Sequence, residues 1–178
     1  CDNRLMISYP DERSAVVDGL VGIIESQNLK PDIIAGTATA AIPFASWVSD
    51  RMNLPMLYVR SGQKGYGKER HIEGVLNEGA RVVFTEDLIT TGGGVLSAVT
   101  YVNQVGGEVV GVATVFEYGL PTSKEAFEKD RIDQWCLSDF PAILDVVTDR
   151  GDLTNEERDI ALAWKSDPKG WGQKMGFE

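Results

Sequence analysis

Two carboxylates, two threonines and three glycines cluster between positions 86 and 94 as Glu86, Asp87, Thr90, Thr91, Gly92, Gly93 and Gly94. They follow Val82, Val83 and Phe84, residue types suited to a buried parallel strand, and precede Val95, Ala98, Val99 and Val102, which recur at helical spacing. That order predicts a strand, a small loop and a helix start. The loop then sits at the carboxyl end of a strand, where open α/β sheets bind their ligands. Successive N–H groups of Thr91, Gly92, Gly93 and Gly94 can converge on an anion, because glycine has no Cβ and permits close approach. The positive end of the helix dipole favours a phosphate at the same place. Glu86 and Asp87 put carboxylates beside it, within reach of sugar hydroxyls or of a Mg²⁺ carried by the phosphate. A phosphorylated ribose satisfies both halves of the pattern.

The loop is not a nucleotide-binding loop of the Gly-Lys-Ser/Thr kind, since it holds no lysine. Dinucleotide-type Gly-x-Gly-x-x-Gly spacing does not fit either, because its third glycine would fall inside the helix. A second strand-to-turn junction reads Ile33, Ile34, Ala35, Gly36, Thr37, Ala38, Thr39, Ala40, whose small side chains let the backbone approach a second anion. Two anion-binding loops at neighbouring strand ends suit a ligand with phosphate at one end and pyrophosphate at the other. Between them, residues 60–71 are polar and rich in glycine and positive charge, including Arg60, Lys64, Tyr66 and Arg70. Such a segment has little apolar surface to pack and is expected to be mobile in the free protein. Cations arriving with loop closure would neutralise pyrophosphate as it leaves, a stabilisation that grows toward the transition state, and would exclude water.

The chain's 178 residues are enough to bury a substantial core. Its 17 basic and 27 acidic side chains give a net charge of -10, which argues against nucleic acid or an anionic membrane as the main partner. An anionic substrate must therefore be met by local positive charge. Two cysteines, Cys1 and Cys136, make no disulfide framework, and the apolar neighbours of Cys136 suggest a buried thiol. With neither a transmembrane-length apolar run nor a signal-peptide pattern, a cytoplasmic location is expected.

Helix and strand patterns alternate along the chain without repeats or a dividing linker, so one domain over 1–178 is expected. Amphipathic helices are predicted over 10–27, 43–52, 95–105, 123–129, 141–147 and 154–164, the last opened by a Thr154/Glu157 capping box. Strands are predicted over 32–35, 55–59, from 81, over 108–116 and over 135–137. This alternation implies an α/β fold, a doubly wound, mostly parallel sheet flanked by helices.

The apolar strand, the two acids, Leu88, Ile89 and Thr90-Thr91-Gly92-Gly93 together resemble the signature of type I phosphoribosyltransferases. With Cys1-Asp2-Asn3-Arg4, Leu54-Pro55-Met56, Tyr58-Val59-Arg60-Ser61 and Ile72-Glu73-Gly74, the chain is similar to orotate phosphoribosyltransferases, in the form found in Gram-positive bacteria. The resemblance implies that orotate N1 is joined to the ribose carbon of 5-phosphoribosyl 1-pyrophosphate. Orotidine 5'-phosphate and pyrophosphate are then the products, in pyrimidine biosynthesis. It implies Mg²⁺, held mainly through the substrate with no direct protein ligand set, and a homodimer whose loop reaches the neighbouring subunit's site.

Carried onto this chain, Lys64, Glu86 and Asp87 are the catalytic positions. Arg60, Lys64 and Tyr66, with Glu86 through Gly94 by way of Leu88, Ile89, Thr90, Thr91, Gly92 and Gly93, bind the phosphoribosyl pyrophosphate, and Thr90 touches orotate. Departures from the family pattern are Tyr66 where a loop histidine is usual, Ala41 for a glycine and Gly94 for a serine. The N-terminal helix and hairpin usual before Cys1 are also expected to be lacking. His71 is expected to be solvated and without a catalytic part. Two other readings share this pattern, a non-catalytic sensor of 5-phosphoribosyl 1-pyrophosphate and an enzyme acting on a purine base.

Overall fold

A computed structural model of the chain describes residues 1–60 and 71–176. Lys64 and Tyr66, with the rest of segment 61–70, lie outside the described residues. Six strands form one sheet: β1 (Ile33–Thr37), β2 (Met56–Val59), β3 (Ile72–Glu73), β4 (Arg81–Ile89), β5 (Glu108–Glu117) and β6 (Gln134–Asp139). Their order is β3-β2-β1-β4-β5-β6, and every adjacent pair is parallel except β2 with β3. The helices are α1 (Pro10–Ser26), α2 (Ala41–Met52), α3 (Gly93–Gln104), α4 (Pro121–Asp130), α5 (Phe140–Asp149), α6 (Asn155–Ser166) and α7 (Trp171–Lys174). The expected mostly parallel, helix-flanked α/β sheet is what forms.

Alternation along the strands divides the core into two layers, because successive side chains point to opposite faces of a sheet. Ile33, Ala35, Val82 and Phe84 pack with Val95, Val99 and Val102 of α3 and Phe127 of α4. On the other face, Ile34, Val83 and Ala113 pack with Val17, Leu20 and Ile24 of α1 and Phe44 and Val48 of α2. Both faces of β1 and β4 are thereby covered, which explains why these strands read as continuous apolar runs.

From β1 the chain steps through α2 to β2 on one side, whereas from β4 it steps through α3 to β5 and then β6 on the other. Strand order therefore reverses between β1 and β4. A crevice opens at such a switch point, at the carboxyl ends of the two strands.

Helix ends follow local chemistry. Pro10 opens α1, where its missing N–H is not needed. At α6 both halves of the capping box are made: the Glu157 N–H donates to Thr154 Oγ1 at 3.2 Å and the Thr154 N–H donates to Glu157 Oε2 at 2.8 Å.

Several details differ from the sequence expectation. β4 extends to Ile89, so Glu86 and Asp87, expected at the strand's end just before the loop, lie inside the strand with Leu88 and Ile89 after them. β1 extends to Thr37, and Gly36 serves packing: a Cβ there would lie 2.9 Å from Ala45 Cβ and 3.0 Å from the Ala41 carbonyl oxygen. The turn into α2 is thus residues 38–40, in which the Ala38–Thr39 peptide bond is cis. His71 is half-buried, its ring edge-on to Tyr101 at 4.8 Å, and not freely solvated. Cys136 is only half-buried, yet burial, followed by the charge of Glu117, pushes its thiol up to about 12. Cys1 and Cys136 are both free cysteines.

Candidate active site

At the switch point, Thr37, Glu86, Leu88, Ile89, Thr90, Thr91, Gly92, Gly93, Gly94 and Val95 line a cleft of about 230 Å³. The register that sets Gly36 beside Thr85 brings the next pair, Thr37 and Glu86, together across the strand boundary. Thr37 Oγ1 donates to Glu86 Oε2 at 2.6 Å. Glu86 is only 6% exposed. Two more threonines brace the same stretch of backbone: Thr114 Oγ1 on β5 donates to the Glu86 carbonyl oxygen at 3.1 Å, and Thr85 Oγ1 donates to that of Ala35 at 3.3 Å.

Burial raises the Glu86 carboxyl to about 8, and the Asp87 charge adds to the rise, while the Thr37 hydrogen bond works against it. In the free protein near neutral pH this group is mostly protonated. Asp87 is half-buried and is not among the residues that line the cleft; its carbonyl oxygen is held at 2.6 Å by Asn3 Nδ2.

The glycine-rich half of the cleft is backbone. Gly92 is the N-cap of α3 with φ of 79°, in the left-handed region. A Cβ on Gly92 would sit 2.7 Å from Phe127 Cε2, so this position needs glycine for both conformation and packing. Around Gly93 and Gly94 an added Cβ would meet nothing within 4 Å. The N–H groups of a helix's first turn have no intrahelical acceptor, and here that turn opens onto the cleft.

These roles separate by mutation. Gly92→Ala is expected to destabilise the fold by roughly 1–3 kcal/mol through strain and overpacking. Gly93→Val is expected to leave the melting temperature unchanged but to weaken binding of a phosphate-bearing ligand about tenfold or more by crowding backbone donors. Thermal melts and calorimetric titration check both, and wild-type affinity in Gly93→Val would remove the loop from the site.

Arg60 follows β2 at the same carboxyl edge of the sheet, where its exposed guanidinium pairs with Glu73 at 3.0 Å. A larger cavity of about 570 Å³ lies between α4 and the β5–β6 edge, with Glu117, Phe127, Arg131, Gln134 and Lys165 in its wall. Its mixed charges lack the loop of convergent donors at a helix start that marks the smaller cleft. The smaller cleft is therefore the candidate site.

Two contributions were not read from the sequence. Thr37 comes from a strand 49 residues away. The 3₁₀ helix Asn3–Ser8 supplies the clasp on Asp87 and carries Arg4, whose ion pair with Asp2 at 2.8 Å, with a smaller contribution from the nearby Asp87, further favours its protonated form. The polar string at positions 1–4 was the available signal, but nothing local tied it to β4.

A family model described as "Phosphoribosyl transferase domain" matches residues 11–143. Orotate phosphoribosyltransferase of Halalkalibacterium halodurans is 44% identical over 168 residues, covering 94% of this chain and 80% of that protein. The Bacillus subtilis protein of the same name is 41% identical over 176 residues, 98% of this chain and 82% of the relative. A crystal structure of orotate phosphoribosyltransferase from Aeropyrum pernix shares the fold, with a TM-score of 0.74 at 24% identity, covering 83% of this chain and 82% of that one. On identity of this order over nearly its whole length, the chain belongs to the orotate phosphoribosyltransferase family.

Proposed function

We propose that the cleft between β1 and β4 transfers the phosphoribosyl group of 5-phosphoribosyl 1-pyrophosphate to orotate, and that pyrophosphate leaves toward Arg60 and Lys64. The observation that carries this reading is the convergence, in one cleft, of a buried carboxyl on β4 with the glycine-rich start of α3. The first-turn N–H groups of α3 hold the 5'-phosphate without needing a cation, which suits a chain with net charge -10.

Glu86 and Asp87 face the ribose hydroxyls. Positive charge that develops on the sugar as the bond to pyrophosphate lengthens is matched by the charge of Asp87 and favours the ionised form of Glu86, so the contribution of both is greatest in the transition state. Thr90, at the end of β4, meets the base.

Among the described residues no group of three or more His, Cys, Asp or Glu side chains is placed to hold a metal ion. A pair of adjacent carboxylates fits a Mg²⁺ that arrives on the substrate, where it would neutralise the pyrophosphate oxygens. We further propose that two copies of the chain associate so that Lys64 of one completes the site of the other. No helix among the described residues is long and apolar enough to cross a membrane.

A product assay tests the reading. Incubated with 5-phosphoribosyl 1-pyrophosphate, Mg²⁺ and orotate, adenine, guanine or xanthine in turn, the protein should form nucleotide with orotate alone. Nucleotide formed from a purine would move the chain to a different base, and tight binding with no product from any base would make it a sensor.

A further inference from the structure

We infer that Thr37 is a positioning residue for the reaction: its hydroxyl fixes the Glu86 carboxyl at the β1–β4 junction and so sets how that carboxyl is presented to the ribose of the substrate. The inference rests on the assignment of the cleft to 5-phosphoribosyl 1-pyrophosphate, and it concerns a residue that makes no bond to the reacting atoms. Three observations carry it. The hydrogen bond is short, 2.6 Å, and joins side chains whose places are dictated by the strand register. Among the described residues no lysine or arginine pairs with the Glu86 carboxyl, so a neutral hydroxyl supplies its orientation where a cation might be expected. Thr37 is also the last residue of β1, paired in register with Val59 of β2, immediately before the turn of residues 38–40 on one strand and Arg60 on the other.

The geometry gives Thr37 a specific task. A glutamate side chain has three rotatable bonds, and freezing them at the moment of reaction costs free energy unless a partner has fixed them beforehand. Buried in the wall of the cleft, Glu86 cannot rely on water for this. A β-branched residue at a strand end is stiff at χ1, so the Thr37 hydroxyl is itself held in place by its backbone. The same residue ties the strand that bears the carboxyl to the strand whose following turn faces the leaving pyrophosphate, so both ends of the reacting bond are referred to one point.

The test uses the full chain and three variants: Thr37→Val, Thr37→Ser and Thr37→Ala. Thr37→Val keeps the branched shape and removes the donor, and is expected to lower kcat/KM for 5-phosphoribosyl 1-pyrophosphate about tenfold or more. The KM for orotate should stay within about twofold of wild type, since the base does not meet Glu86. Thr37→Ser keeps the donor and should recover activity to within about threefold of wild type, with Thr37→Ala behaving like Thr37→Val. Melting temperatures separate this from general loosening, because a merely structural role would make loss of activity follow loss of stability across the three variants.

Wild-type kcat/KM in Thr37→Val, or a Thr37→Ser enzyme as impaired as Thr37→Val, overturns the inference and leaves the assignment of the cleft standing. Failure of the wild-type chain to bind 5-phosphoribosyl 1-pyrophosphate in a calorimetric titration overturns both.

Discussion

Glu86→Gln is expected to make the protein more stable at pH 8 and far less active. The carboxyl stands at about 8 in the folded chain, against an ordinary value of 4.5. Between those values the folded state holds a proton that the unfolded state has released, so stability falls as pH rises through that interval. Glutamine keeps the shape and the neutral charge of the protonated acid and escapes the penalty. From the shift alone the gain at pH 8 is at most about 4 kcal/mol, and it vanishes below pH 4.5, where both states are protonated. Activity moves the other way, since the acid can ionise as positive charge develops on the sugar and an amide cannot, and a loss of about a hundredfold or more in kcat is expected. Urea unfolding of both proteins from pH 4 to 9, beside orotate turnover, measures the two effects. Parallel stability curves would show that Glu86 is not the buried acid described, and unchanged turnover would remove it from the site.

The second large effect concerns subunits. Lys64→Ala and Asp87→Asn proteins should each be nearly inactive, and mixing them under conditions that allow exchange should restore activity. If the lysine acts on the neighbouring site, one site of each mixed dimer receives an intact carboxylate and an intact lysine, and the other receives neither. Recovery of up to about half the wild-type activity per mixed dimer follows from that symmetry. Without recovery, in a sample whose mixed dimers are confirmed by native mass spectrometry, each loop would serve its own subunit.

Much of this arrangement is legible in the sequence, and what is not has physical causes. Long elements are readable because the apolar spacing of α1, α2 and α3 reports the buried face, and the nearly unbroken apolar run of β5 reports a strand covered on both faces. The cleft's phosphate half is readable because glycines and threonines between a strand and a helix have local meaning.

The other half is not local. Glu86 and Asp87 are legible as a strand-end pair before the loop, but only register and burial show that β4 continues past them to Ile89. Thr37 is bland in sequence and becomes a partner only when β1 lies beside β4. Glycine alone does not reveal which service it performs: Gly36 admits α2, Gly92 needs a left-handed backbone beside Phe127, and Gly93 opens to the cleft. The two-residue β3 and the 3₁₀ helix at Asn3–Ser8 are too short for any period to show.

The most direct measurement is a crystal structure of the chain with orotidine 5'-phosphate bound. The 5'-phosphate should lie about 3 Å from the backbone nitrogens of Thr91, Gly92, Gly93 and Gly94, with the ribose hydroxyls toward Glu86 and the base by Thr90. A nucleotide seated elsewhere, for instance in the cavity walled by Glu117, Arg131 and Lys165, or a phosphate held by side chains away from the start of α3, would contradict the assignment of the site.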